Sequence, residues 1–222
     1  MSIPKLSFSG LFLIAANLVP LLGVLFYEWQ VGLVLGLFWI ENLIIGVFNL
    51  IKMFVLAVRN KVAIGFFLCA FFVVHYGFFC IGHGLFLWEL LDLGSLNLAL
   101  SPIAGTGLLS EGAAILFNII ENYKPIIYMA LLALVVSHMV RFVENFILKG
   151  GIFKETSKSL MTRPYSQIII MHAGLIIGGL LVTKFGSTIW LLFIIVLFKI
   201  VVDIKLLQRR NQSEQQALIK DI

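Results

Sequence analysis

The chain has 222 residues, of which 61% are hydrophobic and only 12% charged, and its mean hydropathy is +1.07. A soluble domain carries roughly 45–50% apolar and about 25% charged residues, so too little polar surface is left to cover a water-facing protein, and lipid must solvate much of this one. The formal charge of +5 does not make a nucleic-acid binder, because the basic residues sit between apolar runs and not along one solvated stripe.

Taken in order, the apolar runs predict an all-α integral membrane bundle of about six transmembrane helices, with one outer interfacial amphipathic helix. The first span covers 8–26, continuing past Ala15 and Ala16 where a cleaved signal peptide would end. After a short turn at Glu28 to Gln30, the second covers 31–58 and stops at Arg59-Asn60-Lys61. The third covers 62–91 and holds both cysteines, Cys69 and Cys80. Their separation along one helix forbids a disulfide, so both are read as packing residues.

Residues 92–124 form the largest non-spanning segment. Within it Leu108, Leu109, Ile115, Leu116, Ile119 and Ile120 recur at helical spacing, while Ser110, Glu111, Asn118 and Glu121 point elsewhere. That pattern predicts a helix lying on the membrane surface. Pro125 opens the fourth span, 125–148, at a position where proline costs a helix nothing. The fifth span is 165–183 and the sixth 188–207, leaving 208–222 as a polar tail.

The basic residues set the orientation. One face collects Lys5, Arg59, Lys61, the four between Lys149 and Arg163, and those from Lys205 onward, while the other has Lys124 and Lys184. Positive-inside bias places both termini in the cytoplasm, as for an inner-membrane protein. Gly32/Gly36 and Gly174/Gly178 form small-xxx-small pairs, which are packing seams within the chain or faces for a homo-oligomer.

The informative residues are the ionisable ones inside the spans. A charge at a helix centre costs roughly 2.5–3.5 kcal/mol on insertion scales and normally faces the bundle interior with a partner. All four histidines, His75, His83, His138 and His172, lie in spans, with Glu41, Asn42, Arg141, Glu144, Asn145, Lys199 and Asp203. At about 1.5 Å per residue, Glu41 lies about 15 Å in from one face and His75 about 20 Å in from the other. The two therefore share a middle layer with His138 and Lys199, and His83 belongs to a separate place. His138, Arg141 and Asn145 make one polar stripe, and Lys199 and Asp203 can neutralise each other four residues apart.

Imidazole and carboxylate are ligands for zinc, iron and copper. The set Glu41, His75, His138, His172 and Asp203 is therefore expected to bind a transition metal, with a role in enzymatic chemistry open. Asn42, His83, Arg141, Glu144, Asn145 and Lys199 would orient or charge-balance it. Haem ranks below a bare ion, because no helix pair carries the two histidine pairs a two-haem bundle needs. The alternatives are a small proton, ion or solute transporter or channel, and a non-catalytic membrane assembly partner. There is no His-Glu-x-x-His, Gly-x-Ser-x-Gly or phosphate-binding glycine loop. No internal repeat of the kind common in transporters is visible.

Several stretches together carry a resemblance. They are Trp39-Ile-Glu41-Asn42-Leu-Ile-Ile-Gly46, His75-Tyr76-Gly77-Phe78-Phe79 with His83-Gly84, and His172 followed by Gly178-Gly179 and Lys199 to Asp203. Over residues 39–205 the chain resembles the bacterial membrane-protein family known as domain of unknown function 6498. The resemblance implies a small multi-pass bacterial protein and implies no activity.

Overall fold

The computed structural model describes residues 18, 21–61, 63–91, 107–124, 126–148, 150–202 and 204, and no strand occurs among them. The protein is all-α. The described helices are α1 (residues 21–26), α2 (Val31–Asn60), α3 (Ala63–Leu90), α4 (Leu108–Asn122), α5 (Ile126–Arg141, continued by a π-helix over Phe142–Leu148), α6 (Gly151–Lys154), α7 (Ser157–Thr162), α8 (Tyr165–Phe185) and α9 (Ile189–Val202). Among the described residues, four stretches are long and apolar enough to cross a membrane: Val31–Asn60, Ala63–Leu90, Ile127–Leu148 and Ser157–Phe185. They overlap the second to fifth spans read from the sequence, the last of them beginning at Ser157 and not at Tyr165. Most of the first span, Asp203 and the tail 208–222 lie outside the described residues, and the sixth span is represented by the shorter apolar α9.

The chain falls into two compact units, Gly32–His172 on one hand and Met1–Val31 with Ala173–Ile222 on the other. In the first unit α2 and α3 form an antiparallel hairpin, turned by Lys61 at φ 52°. Inside lipid there is no hydrophobic drive between helices, so close packing and hydrogen bonds decide the seam. The Trp39 indole is 1% exposed and donates from Nε1 to the Cys80 carbonyl at 2.7 Å. A Cβ on Gly84 would stand 2.8 Å from that ring, and one on Gly46 would stand 2.6 Å from Tyr76. The Tyr76 hydroxyl donates to the Asn42 carbonyl at 2.9 Å. Glycine is thus required where each aromatic ring seats on the opposing backbone. Trp39, Asn42, Gly46, Tyr76 and Gly84, which carried the family resemblance, are the α2–α3 seam.

Toward the Asn60 end of α2, the core gathers Met53, Phe72, Tyr76, Phe146 and Leu160. Leu160 comes from α7, which Thr156 caps by accepting from the Ser159 N–H at 3.3 Å. Asn49 reaches across from α2 and donates to the Leu160 carbonyl at 2.6 Å, so the short α7 is tied to the base of the bundle. Arg163 and Glu155 pair at 2.8 Å beside it.

The helix expected over the outer segment exists, as α4, but protein covers its buried face. Ala114, Ile115 and Ile119 are buried, and so are the polar Ser110 and Asn118. Two of the four polar residues read as pointing away from the apolar stripe are therefore turned inward, where the Asn118 amide donates to the Ala114 carbonyl at 2.8 Å. The Gly32/Gly36 pair is filled from within the chain, by Tyr123 and Ile119. In the second unit Gly174 and Gly178 receive Ile195 and Leu191 of α9, and Gly186 at φ 68° makes the turn between α8 and α9. Both small-residue faces are occupied inside the chain.

Candidate functional site

The intramembrane ionisable side chains of the first unit come together in pairs. Glu41 on α2 faces His138 on α5, with Oε1 and Nε2 3.8 Å apart and the two side chains 23% and 14% exposed. That separation exceeds a direct hydrogen bond but lies within ion-pair range. Phe48, two turns along the same face of α2, stacks on the His138 ring at 6.2 Å and walls it on one side. Further along, Lys52 lies over the Phe146 ring at 5.9 Å, so one stripe of α2 serves α5 throughout.

His83 on α3 and His172 on α8 form a second pair, with Nε2 and Nδ1 3.2 Å apart. His83 is buried and His172 exposed. One imidazole must donate and the other accept for a hydrogen bond to form. The third pair is His75 with Tyr165, whose hydroxyl is 2.5 Å from Nδ1. Phe71 stacks on the His75 ring at 5.1 Å and Phe79 meets it edge-on at 5.2 Å.

The α2–α3 register assigns these pairs their depth. Trp39 lies opposite Cys80 and Gly84, Gly46 opposite Tyr76, and Ala57 opposite Gly65. His83 therefore shares the depth of Glu41 and His138, whereas His75 sits about 12 Å nearer the Asn60 end. Depths counted from the helix ends put His75 in the middle layer and His83 apart, the reverse of this register. The difference arises because α2 and α3 are 30 and 28 residues long. At about 1.5 Å per residue they exceed the roughly 30 Å hydrocarbon thickness, so depths counted inward from opposite helix ends do not meet.

Of the five residues expected as metal ligands, Glu41 and His138 are together, His172 pairs with His83, His75 pairs with Tyr165, and Asp203 lies outside the described residues. No group of three or more His, Cys, Asp or Glu side chains able to hold a metal ion occurs among the described residues. Among the supporting residues, Asn42 donates to the Phe38 carbonyl and Asn145 to the Arg141 carbonyl, each one turn back in its own helix. Arg141 and Glu144 are exposed on α5, and Lys199 belongs to α9 in the second unit. Cys69 and Cys80 are free and buried.

Tyr165 and Asn49 were not among the candidate residues. Asn49 lies seven residues after Asn42 on the same face of α2, a spacing visible in the sequence, whereas Tyr165 simply follows Pro164 and nothing local marks it as a histidine partner.

Residues 1–220, nearly the full length, match the family of unknown function DUF6498. The chain belongs to that family. No curated protein and no solved structure matches it. Within this DUF6498 chain, the motif residues divide by role. Trp39, Gly46 and Gly84 build the α2–α3 seam, and Glu41, His75, His83 and His172 enter the three pairs, whose other members, His138 and Tyr165, lie outside the motifs.

Proposed function

We propose that this DUF6498 chain is a proton-handling membrane protein, with the Glu41–His138 couple as the group that binds and releases the proton. The observation that carries the reading is that couple. A carboxylate and an imidazole approach to 3.8 Å from two different helices, about 15 Å along α2 from its start. Intramembrane ionisable residues facing a bundle interior mark proton relays and ion pathways, and imidazole exchanges protons near neutral pH. A proton on the couple exists either as imidazolium beside carboxylate or as two neutral groups, so the protonated couple is net neutral and its release leaves a single carboxylate charge. The positive-inside bias supports an inner-membrane location with both termini in the cytoplasm.

Reconstitution into liposomes enclosing a pH-sensitive dye, with a potassium diffusion potential as the driving force, tests the reading. Wild-type protein is expected to carry protons at least tenfold faster than Glu41→Gln protein. Rates equal to those of protein-free liposomes would refute it.

A transition-metal site is the second reading, and one distance favours it. The 3.2 Å between His83 Nε2 and His172 Nδ1 is close to the roughly 3.3 Å that two imidazoles take about one tetrahedral zinc ion with bonds of about 2.0–2.1 Å. A near-stoichiometric metal content of purified protein, lost in His83→Ala/His172→Ala, would support this reading over the first.

A further inference from the structure

α4 has 15 residues, about 23 Å of helix, and its neighbours fix its depth. Beyond its end, Tyr123 lies over Gly32. A Cβ on Gly36 would stand 3.1 Å from Ile119, and one on Gly112 would stand 2.8 Å from Ile81. Gly32 and Gly36 belong to the first two turns of α2. Ile81 is nine residues from the Leu90 end of α3, about 14 Å inward. Gly112 is eleven residues from Tyr123, about 16 Å along α4. The two lengths agree only if α4 runs alongside α2 and α3 into the bundle, and not across their ends.

The side chains of α4 point the same way. Ser110 and Asn118 face the protein at 4% and 8% exposure, while Leu109 is 67% and Phe117 36% exposed. A helix resting on a membrane surface turns its polar side to water. This one buries Ser110 and Asn118 beside Ala114, Ile115 and Ile119 and exposes the apolar Leu109 and Phe117, while its exposed polar residues, Glu121 and Asn122, stand at its end. Glu111 stands in its first turn, partly buried and adjacent to Gly112. It is thus at the depth of Ile81, near which α2 carries Glu41 and α3 carries His83. A carboxylate so placed needs a partner or a role.

We propose that α4 is a re-entrant half-helix, entering and leaving the membrane on the face where α2 begins, and that it carries Glu111 to the depth of the Glu41–His138 couple as the group exchanging protons with that face. The second half of the proposal rests on the function proposed above; the first half does not.

The two halves are tested separately. In a Cys69→Ala/Cys80→Ala background, Glu121→Cys and Leu109→Cys are labelled in membrane vesicles with a membrane-impermeant maleimide from each side, with labelling in denaturant confirming that both thiols are intact. A half-helix predicts rapid reaction at 121 from one side only and at least hundredfold slower reaction at 109 from either side. Similar rates at the two positions overturn it. In the liposome assay Glu111→Gln is expected to slow proton movement at least tenfold, and Glu121→Gln to leave it unchanged. Wild-type movement in Glu111→Gln overturns the role of Glu111 while leaving Glu41 and His138 untouched. Absence of proton movement in the wild type overturns the proposed function and the role of Glu111 together, and leaves the labelling result to judge the half-helix.

Discussion

A methyl group added at Gly84 should unseat Trp39. The Cβ of Gly84→Ala would stand 2.8 Å from Cε2 and Cζ2 of the indole and 2.9 Å from its Nε1. The ring is buried and cannot swing away without breaking its 2.7 Å bond to the Cys80 carbonyl. Forcing a methylene-sized group into a packed core costs typically 1–3 kcal/mol, and losing a hydrogen bond about 0.5–1.5 kcal/mol. Together they predict a destabilisation of about 1.5–4.5 kcal/mol. Helix propensity works in the opposite direction, since alanine is favoured over glycine by up to about 1 kcal/mol. Gly82→Ala supplies the baseline, because a Cβ there meets nothing within 4 Å. The assay is reversible unfolding in mixed micelles as the denaturing detergent fraction rises. Trp39→Phe alone should lose about 1 kcal/mol with the hydrogen bond. The smaller ring leaves room for the methyl, so Gly84→Ala/Trp39→Phe should be less unstable than the two single losses added together. Equal stability of Gly84→Ala and Gly82→Ala would refute the reasoning.

Asn49→Ala should release α7 from the base of the bundle. It leaves the Leu160 carbonyl without a donor that approached to 2.6 Å, a loss of about 1–3 kcal/mol, read as roughly 5- to 150-fold faster proteolysis within residues 150–164. Unchanged cleavage would show that the bond does not hold the segment. His75→Phe keeps a ring against Phe71 and Phe79 but loses the Tyr165 hydroxyl. It should lower the thermal midpoint in detergent as much as Tyr165→Phe does, with the double variant no worse than either. Additive losses would show that the two side chains do not act as a pair.

Much of the fold was legible because lipid imposes its own pattern. Apolar runs with basic punctuation at Arg59, Lys61 and Lys149 delimit helices whatever packs against them, and four long apolar helical stretches overlap the second to fifth runs. What the runs do not encode is lateral and vertical registry. The depth of His83 follows from Gly84 admitting the Trp39 ring, a contact between residues 45 positions apart that no local periodicity records. Which face of α4 is buried was hidden for a related reason. Its apolar stripe is genuine, but Ser110 and Asn118 sit within the buried arc because Asn118 satisfies its amide on its own helix. A moment computed from residue types alone treats such a residue as water-seeking. The site was half legible. The intramembrane Glu and His residues stood out by their cost, while their division into Glu41–His138, His83–His172 and His75–Tyr165 depended on which helices adjoin.

The central claim is that Glu41 and His138 act as one proton-binding unit. The most direct test measures dye-reported proton movement in liposomes for Glu41→Gln, His138→Gln and the double variant. The account predicts that each single change slows movement at least tenfold and that the double variant is no slower than either, the non-additivity expected of groups working as a unit. Wild-type rates in either single variant, or losses that multiply in the double, would contradict it.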